Sequence, residues 1–160
     1  MTDKLNDDKH SGKFEKTRAA RVAAVQAHYQ SEINAQTLPA VMDYFLDEQL
    51  DSSDYPYPPH VATFKGILST RIQRADDIAQ LITQSLSENW SLERLEPLVR
   101  AILSIGTAEL LSPVTRAPAP VIITEYVDIA RGFFDGNEPA FVNGVLDKIA
   151  QGLHLRLQRD

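Results

Sequence analysis

The sequence predicts an all-α domain, and three observations carry that expectation. Apolar residues recur at i, i+3 and i+4 along most of the chain, which is the spacing of one helix face. No segment combines the period-2 alternation with the β-branched density of a strand. The stretches between the periodic segments, "DSSDYPYPPH" (51–60), "SPVTRAPAP" (112–120) and "GFFDGNEP" (132–139), are rich in proline, glycine, serine and aspartate, the residues of loops.

Each element follows in order. Residues 1–13 are polar and too poor in apolar side chains to offset their ordering entropy, so a disordered tail is expected there. One domain is expected over 14–155, with a short C-terminal tail over 156–160. A first helix runs from Lys16 to about Ser31. Val22, Val25 and Tyr29 form its bulky face, and Ala20, Ala23, Ala24 and Ala27 form a small-residue face that permits close helix approach. A second helix covers Leu38 to Leu50. A third holds Phe64, Ile67 and Leu68, and a fourth holds Ile72, Ala75, Ile78, Leu81 and Ile82. The stretch 87–111 reads as a fifth, with Ser91 as its N-cap, Pro97 as an early kink or break, and Trp90 as a core anchor. Pro120 suits the first turn of a sixth helix. Asn137 suits the cap of the last helix, with Pro139 tolerated in its first turn.

The stretch "AFVNGVLDKIA" (140–150) is ambiguous. Asn143-Gly144 between apolar pairs is a hairpin signal, yet Phe141, Val142, Val145, Leu146 and Ile149 keep helical spacing. A lone hairpin with no sheet to join is marginal, so the helix is expected, at a glycine cost of about 1 kcal/mol. Close contact with another helix at Gly144 is the expected compensation. Asn143 and Asp147, at i and i+4, are expected to bond across to a neighbouring helix or to cap an orphan backbone group.

Composition excludes several classes. There are no cysteines, hence no disulfide framework and no thiolate chemistry. His10, His28, His60 and His154 are scattered without metal-ligand spacing, and neither a P-loop nor a G-x-G-x-x-G occurs. No enzyme, metal or cofactor is expected. The opening "MTDKLNDDKHSGK" lacks the apolar core of a signal peptide, and no apolar run is long enough to span a membrane, so a cytoplasmic location is expected. The net charge of −6 means that any nucleic-acid binding must rest on a local patch.

The most basic stretch is Lys13, Lys16, Arg18 and Arg21, with one acid, Glu15, among them. Arg21 and His28 share a stripe at i, i+7. Cations at a helix start oppose the macrodipole, so the stretch reads either as a solvated polar face or as the seat of an anionic ligand, which would explain the unfavourable placement. Phosphates held by such a stripe would position RNA without reading bases. Phe133 and Phe141 flank "FDGNEPA", where they read either as core residues or as stacking platforms for unpaired bases. Glu109 and Glu125 sit in apolar helices without a nucleophile beside them, so buried pairing is favoured over acid–base work. Asp76 and Asp77 are taken for a solvated face.

"PVIITEYVDIARGF" (120–133) followed by "FVNGVLDKIA" (141–150) resembles the C-terminal signature of the NusB family of bacterial transcription antitermination proteins. "RAARVAAVQAHY" (18–29) resembles that family's first helix, and "ADDIAQLI", "NWSLERL" and "AILSIGTAEL" resemble its middle helices in the family's order. The resemblance covers about Lys16 to Ala150. It implies about seven helices in two packed bundles. It also implies a factor that binds single-stranded boxA RNA of nascent ribosomal RNA leaders together with NusE, a small-subunit ribosomal protein. That complex acts with RNA polymerase, NusA and NusG to suppress termination. A protein-interaction scaffold with weak RNA affinity of its own is the alternative.

The RNA-contact positions implied are Lys16, Arg18, Arg21, Gln26, Phe133, Asn137 and Phe141. The NusE-facing positions implied are Tyr29, Glu93 and Arg100, although Tyr29 also completes the bulky face of the first helix. Without a partner, the alanine face of that helix would suit a homodimer. The chain departs from the family pattern at Thr17, Ala19, Ser104, Ala108, Thr124, Tyr126, Asn137 and Glu138.

Overall fold

Seven α-helices carry the chain: α1 (Thr2–Ile33), α2 (Leu38–Tyr44), α3 (Val61–Gln73), α4 (Ala75–Ser85), α5 (Pro97–Leu111), α6 (Ala119–Phe133) and α7 (Glu138–Arg159). The computed structural model describes the backbone of residues 2–159 and the side chains of 12–154, and among these residues no strand occurs. The tails expected at 1–13 and 156–160 lie outside the residues described in full, save Gly12 and Lys13. A π-helical turn, Phe45–Gln49, continues α2, and a 3-10 turn, Leu92–Arg94, precedes α5.

Local chemistry sets the helix starts. The Thr37 hydroxyl accepts from the Ala40 N–H at the head of α2, and His60 Nδ1 accepts from the Thr63 N–H at the head of α3. The Glu96 carboxylate accepts from the N–H groups of Leu98 and Val99, so Pro97 takes the first position of α5, where its missing N–H is no loss. The single helix expected over 87–111 is therefore two elements. Ser91 heads only the 3-10 turn and makes no side-chain cap bond.

At the end of α1 the Gln36 N–H reaches the Ser31 carbonyl and the Ala35 N–H reaches that of Glu32, the bond pair of a Schellman motif. Its left-handed residue is Ala35, at φ 52°, where glycine is usual.

α5 is the axis of the fold. Every residue from Ala101 to Glu109 is buried, and the helix packs against α1 and α3 on one side and α4, α6 and α7 on the other. A helix enclosed all round must be apolar nearly all round, which "AILSIGTAEL" is. The departures Ser104 and Ala108 lie inside this core, so they bear on packing. The alanine face of α1, Ala20, Ala23, Ala24 and Ala27, is wholly buried within the molecule. It does permit close approach, but it is not available as the homodimer face expected of it.

The chain runs through 140–150 as helix α7, but not for the expected reason. A Cβ on Gly144 would meet nothing within 4 Å, and the position is exposed. The glycine pressed by other helices is Gly106 on α5, where a Cβ would stand 3.1 Å from Leu146 Cδ1 and 3.3 Å from Tyr126 Cγ, while Gly66 on α3 is approached at 3.0 Å by Val114 of the loop before α6. Asn143 and Asp147 are exposed as well. Asp147 accepts from Gln151 one turn on, so no cross-helix bond forms there.

Candidate nucleic-acid interface

The basic stripe of α1 turns inward. Arg21 is 3% exposed, and its Nε and Nη2 donate to the two carboxylate oxygens of Glu109 at 2.7 and 2.8 Å. Glu109 also accepts from the Tyr126 hydroxyl at 2.8 Å and from Thr115 Oγ1 at 3.0 Å. Burial, followed by the neighbouring Glu109 charge, raises the Tyr126 hydroxyl well above its ordinary pKa. Arg21 Nη1 lies 3.7 Å from Glu125, whose two oxygens accept from Arg18 Nε and Nη2, both at 3.0 Å. Arg18 Nη2 then lies 3.7 Å from Asp128, which pairs with Arg131.

The result is a ladder of alternating charge running from α6's surface into the core. Glu109 and Glu125 are paired in the interior as expected. The phosphate role expected of Arg21 is corrected: its planar fork is fully engaged with a buried carboxylate, and freeing it would strand Glu109. Arg18 keeps a partly exposed side chain, with its guanidinium 5.1 Å from the Phe14 ring centre, but its carboxylate partners cancel its charge locally. Lys16 and Lys13 remain exposed.

His28, one helical repeat beyond Arg21, is 2% exposed and also faces inward. Burial first, and then the nearby Arg71 cation, lower its pKa to about 4. Its imidazole is therefore neutral at physiological pH. Ala20, Ala24 and Ala27 interleave with this stripe, and that pattern, set beside two carboxylates without partners in apolar helices, is the sequence signal for inward cations.

The aromatic residues behave in the opposite way. Phe133, at the C-terminal end of α6, is 50% exposed. It lines a groove of about 610 Å³ with Gln26, Tyr29, Tyr55 and Leu98. The Tyr55 hydroxyl donates to Gln26 Oε1 at 2.7 Å. This groove joins two positions read as RNA contacts, Phe133 and Gln26, with one read as a partner contact, Tyr29. Phe141 belongs to a second cleft, of about 390 Å³, with Asn137, Glu138, Arg94 and Trp90. Trp90 is not a core anchor: it is 51% exposed and tilted 48° against Phe141, with ring centres 6.5 Å apart. The clefts flank the start of α5, with Leu98 in one and Val99 in the other.

Of the remaining expected contacts, Glu93 is exposed on the 3-10 turn. Arg100 is not a free surface cation. Its Nε and Nη2 donate to Glu32 of α1, and its Nη1 donates to the carbonyls of Leu92 and Leu95. It ties the 3-10 turn to α1 and α5, which holds the floor between the two clefts. Arg94 and Tyr55 carry no signal in the sequence, and Trp90 is read there as core rather than as part of a cleft. Trp90 sits in the polar run "SENWS", a setting that points outward more readily than inward.

An all-helical scaffold with one enclosed helix, carrying exposed aromatics and amides beside its first turn, defines a macromolecule-binding protein more readily than an enzyme. Comparison with known proteins agrees. The model of the NusB family matches residues 18–151, so the chain belongs to the NusB family. It is 42% identical, over 137 residues, to the transcription antitermination protein NusB of Rhizobium rhizogenes (strain K84), covering 83% of this chain and 84% of that relative. Among solved structures, T. maritima NusB superposes with a TM-score of 0.69 at 30% identity, over 84% of this chain and 90% of that one. A chain from the crystal structure of antitermination factors NusB and NusE in complex with dsRNA shares the fold at 22% identity and a TM-score of 0.68, over 84% of this chain and 96% of that one. The family is one of transcription antitermination factors rather than enzymes. No described helix is long and apolar enough to cross a membrane.

Proposed function

We propose that this chain is an RNA-binding antitermination factor that takes single-stranded boxA RNA of nascent ribosomal RNA leaders jointly with NusE. In that role it supports efficient transcription of ribosomal RNA operons, within an RNA polymerase complex that includes NusA and NusG. The observation that carries this reading is the half-exposed ring of Phe133 in a groove with Gln26; Phe141, partly buried against the core, lines a second cleft with Asn137. Aromatic faces with adjacent hydrogen-bonding groups are what unpaired bases require. A structural relative crystallised with NusE and dsRNA supports the coarser part of this reading, an RNA and NusE partnership. Tyr29 and Glu93, exposed on either side of Arg100's tie, are the NusE-facing positions in this account, and Arg100 holds the surface in shape.

A second reading, a NusE-binding scaffold with little RNA affinity of its own, is favoured by one observation: the carboxylate ladder withdraws Arg18 and Arg21 from the phosphates. A boxA RNA titration with and without NusE decides between them. The heterodimer is expected to bind more tightly than the chain alone, and equal affinity counts against the partnership. Lys13 and Lys16 then carry the phosphate contacts. Replacing both with glutamine should flatten the salt dependence by roughly 1.4 log units per log unit of salt, with boxA and scrambled RNA affected alike. An unchanged slope moves the electrostatic contact off α1 altogether.

A further inference from the structure

We propose that the cleft between the 3-10 turn and the start of α7 holds one unpaired nucleobase of the bound RNA strand, stacked on Trp90. The proposal rests on the RNA-binding reading above, which uses Phe141 and Asn137 of this cleft, and extends it to Trp90, Arg94 and Glu138.

Trp90 carries the argument. A large apolar ring left half exposed lacks the burial that tryptophan ordinarily finds. Its neighbour Phe141 is tilted 48° with centres 6.5 Å apart, so the two rings form a wedge rather than a closed stack, and much of the indole stays open. The turn that presents it is already ordered. The Trp90 N–H donates to the Ser87 carbonyl at 2.9 Å, the Arg94 N–H to that of Ser91 at 3.1 Å, and Arg94 Nη1 to that of Asn89 at 3.0 Å. A platform fixed in advance loses little conformational freedom on binding.

The lining bears on the occupant. Its wall is mostly apolar, formed by Trp90, Leu95, Val99 and Phe141, and beside that wall the cleft presents the exposed amide of Asn137 and the guanidinium of Arg94. It further includes Glu138, whose Oε2 is buried without a hydrogen-bond partner. A flat π-face with a donor- and acceptor-bearing edge, joined to a phosphate, matches a wedge of rings flanked by an amide, a carboxylate and a cation. Asn137 and Phe141 themselves line the cleft, so a strand laid on them meets Trp90.

The test uses Trp90 as its own probe, because it is the sole tryptophan of the chain. A short, end-labelled single-stranded boxA RNA is titrated with the full chain, following RNA anisotropy and tryptophan emission together. Emission should quench along the same saturation curve as the anisotropy. Trp90→Leu, which keeps apolar packing on Phe141, should weaken binding by roughly 5- to 150-fold, and Trp90→Phe should restore most of it. Melting curves confirm that each variant is folded. Should the Leu variant unfold, the quench and the Phe variant decide. RNA that binds without altering the emission, or with parental affinity for a folded Trp90→Leu, overturns the cleft assignment while leaving the RNA reading intact. Absence of RNA binding with and without NusE removes the RNA reading, and this inference with it. Emission that responds to NusE but not to RNA makes the occupant a protein side chain and likewise overturns the proposal.

Discussion

The carboxylate–arginine ladder beneath α1 and the two aromatic clefts beside α5 invert the usual division of labour. In the first region, charged side chains lie in the interior: Arg21, Glu109 and Glu125 are nearly inaccessible and hold one another. In the second, large apolar rings are half open to solvent: Trp90, read from the sequence as a core anchor, and Phe133, read as either core or stacking platform. The difference teaches where each property of this molecule resides. Charge fixes the angle and register at which α1 meets α5 and α6, since a forked cation and a carboxylate tolerate only one docking geometry. In the proposed function the binding surface falls to aromatic rings and amides, whose affinity for RNA does not need a strongly basic protein.

The comparison breaks most severely if the ladder is not structural. Arg21→Ala should cost about 3–5 kcal/mol, because it leaves Glu109 charged and buried without its main partner. Denaturant unfolding reads this directly, and a loss below about 1 kcal/mol would place Arg21 with the surface cations after all.

Next in size is the other inward residue of the same stripe. The pKa of His28 is lowered from 6.5 to about 4 in the folded protein, so the folded state favours the neutral ring. Its stabilising contribution is complete above pH 6.5. It is lost as pH falls, because the unfolded chain takes up the proton first, and the loss ends near pH 4. Burial dominates this shift, with Arg71 and Arg100 opposing the protonated form and Glu32 favouring it. The difference in stability between the parent and His28→Leu should therefore change by roughly 3 kcal/mol between pH 7 and 4. Parallel stability–pH curves for the two proteins would show that His28 does not titrate as a buried group.

On the aromatic side, Phe133→Ala should weaken boxA binding by roughly 1–3 kcal/mol and leave the melting temperature nearly unchanged, because the ring is already half exposed. A variant that melts early but binds RNA normally would return Phe133 to the core and erase the contrast. The smallest effects sharpen the comparison at positions that belong to neither region. Gly144→Ala should stabilise α7 by about 1 kcal/mol, since nothing lies within 4 Å of the added methyl. Ala35→Gly should add about 1 kcal/mol by relieving a left-handed alanine. Calorimetry of the two single variants checks both signs.

The helices were legible because their signals are local. Ile78, Leu81 and Ile82 announce α4 by spacing alone, and Pro120 and Pro139 both fall in first turns. Pro97 was readable as a break but not as a helix start, because what decides between them is whether Glu96 turns back to cap the next N–H groups. The candidate site was far less legible. The clefts that hold Phe133 and Phe141 are made by residues distant in sequence, such as Gln26 with Phe133 and Trp90 with Phe141. The inward turn of Arg21 depends on a carboxylate 88 positions away. Gly144 was misjudged for a related reason. Spacing identifies a glycine within a helix, but only the neighbouring helices show that Gly106, not Gly144, is the one another helix presses upon.

The ladder also imposes an order on the molecule's own making. Arg18 meets Glu125 across 107 positions and Arg21 meets Glu109 across 88. During synthesis α1 emerges first, and its two arginines have no partners until α5 and then α6 have left the ribosome. Until then Arg21 has no buried carboxylate to meet, so α1 cannot take its final seat before the middle and C-terminal helices exist, and the N-terminal helix is among the last to be locked in place.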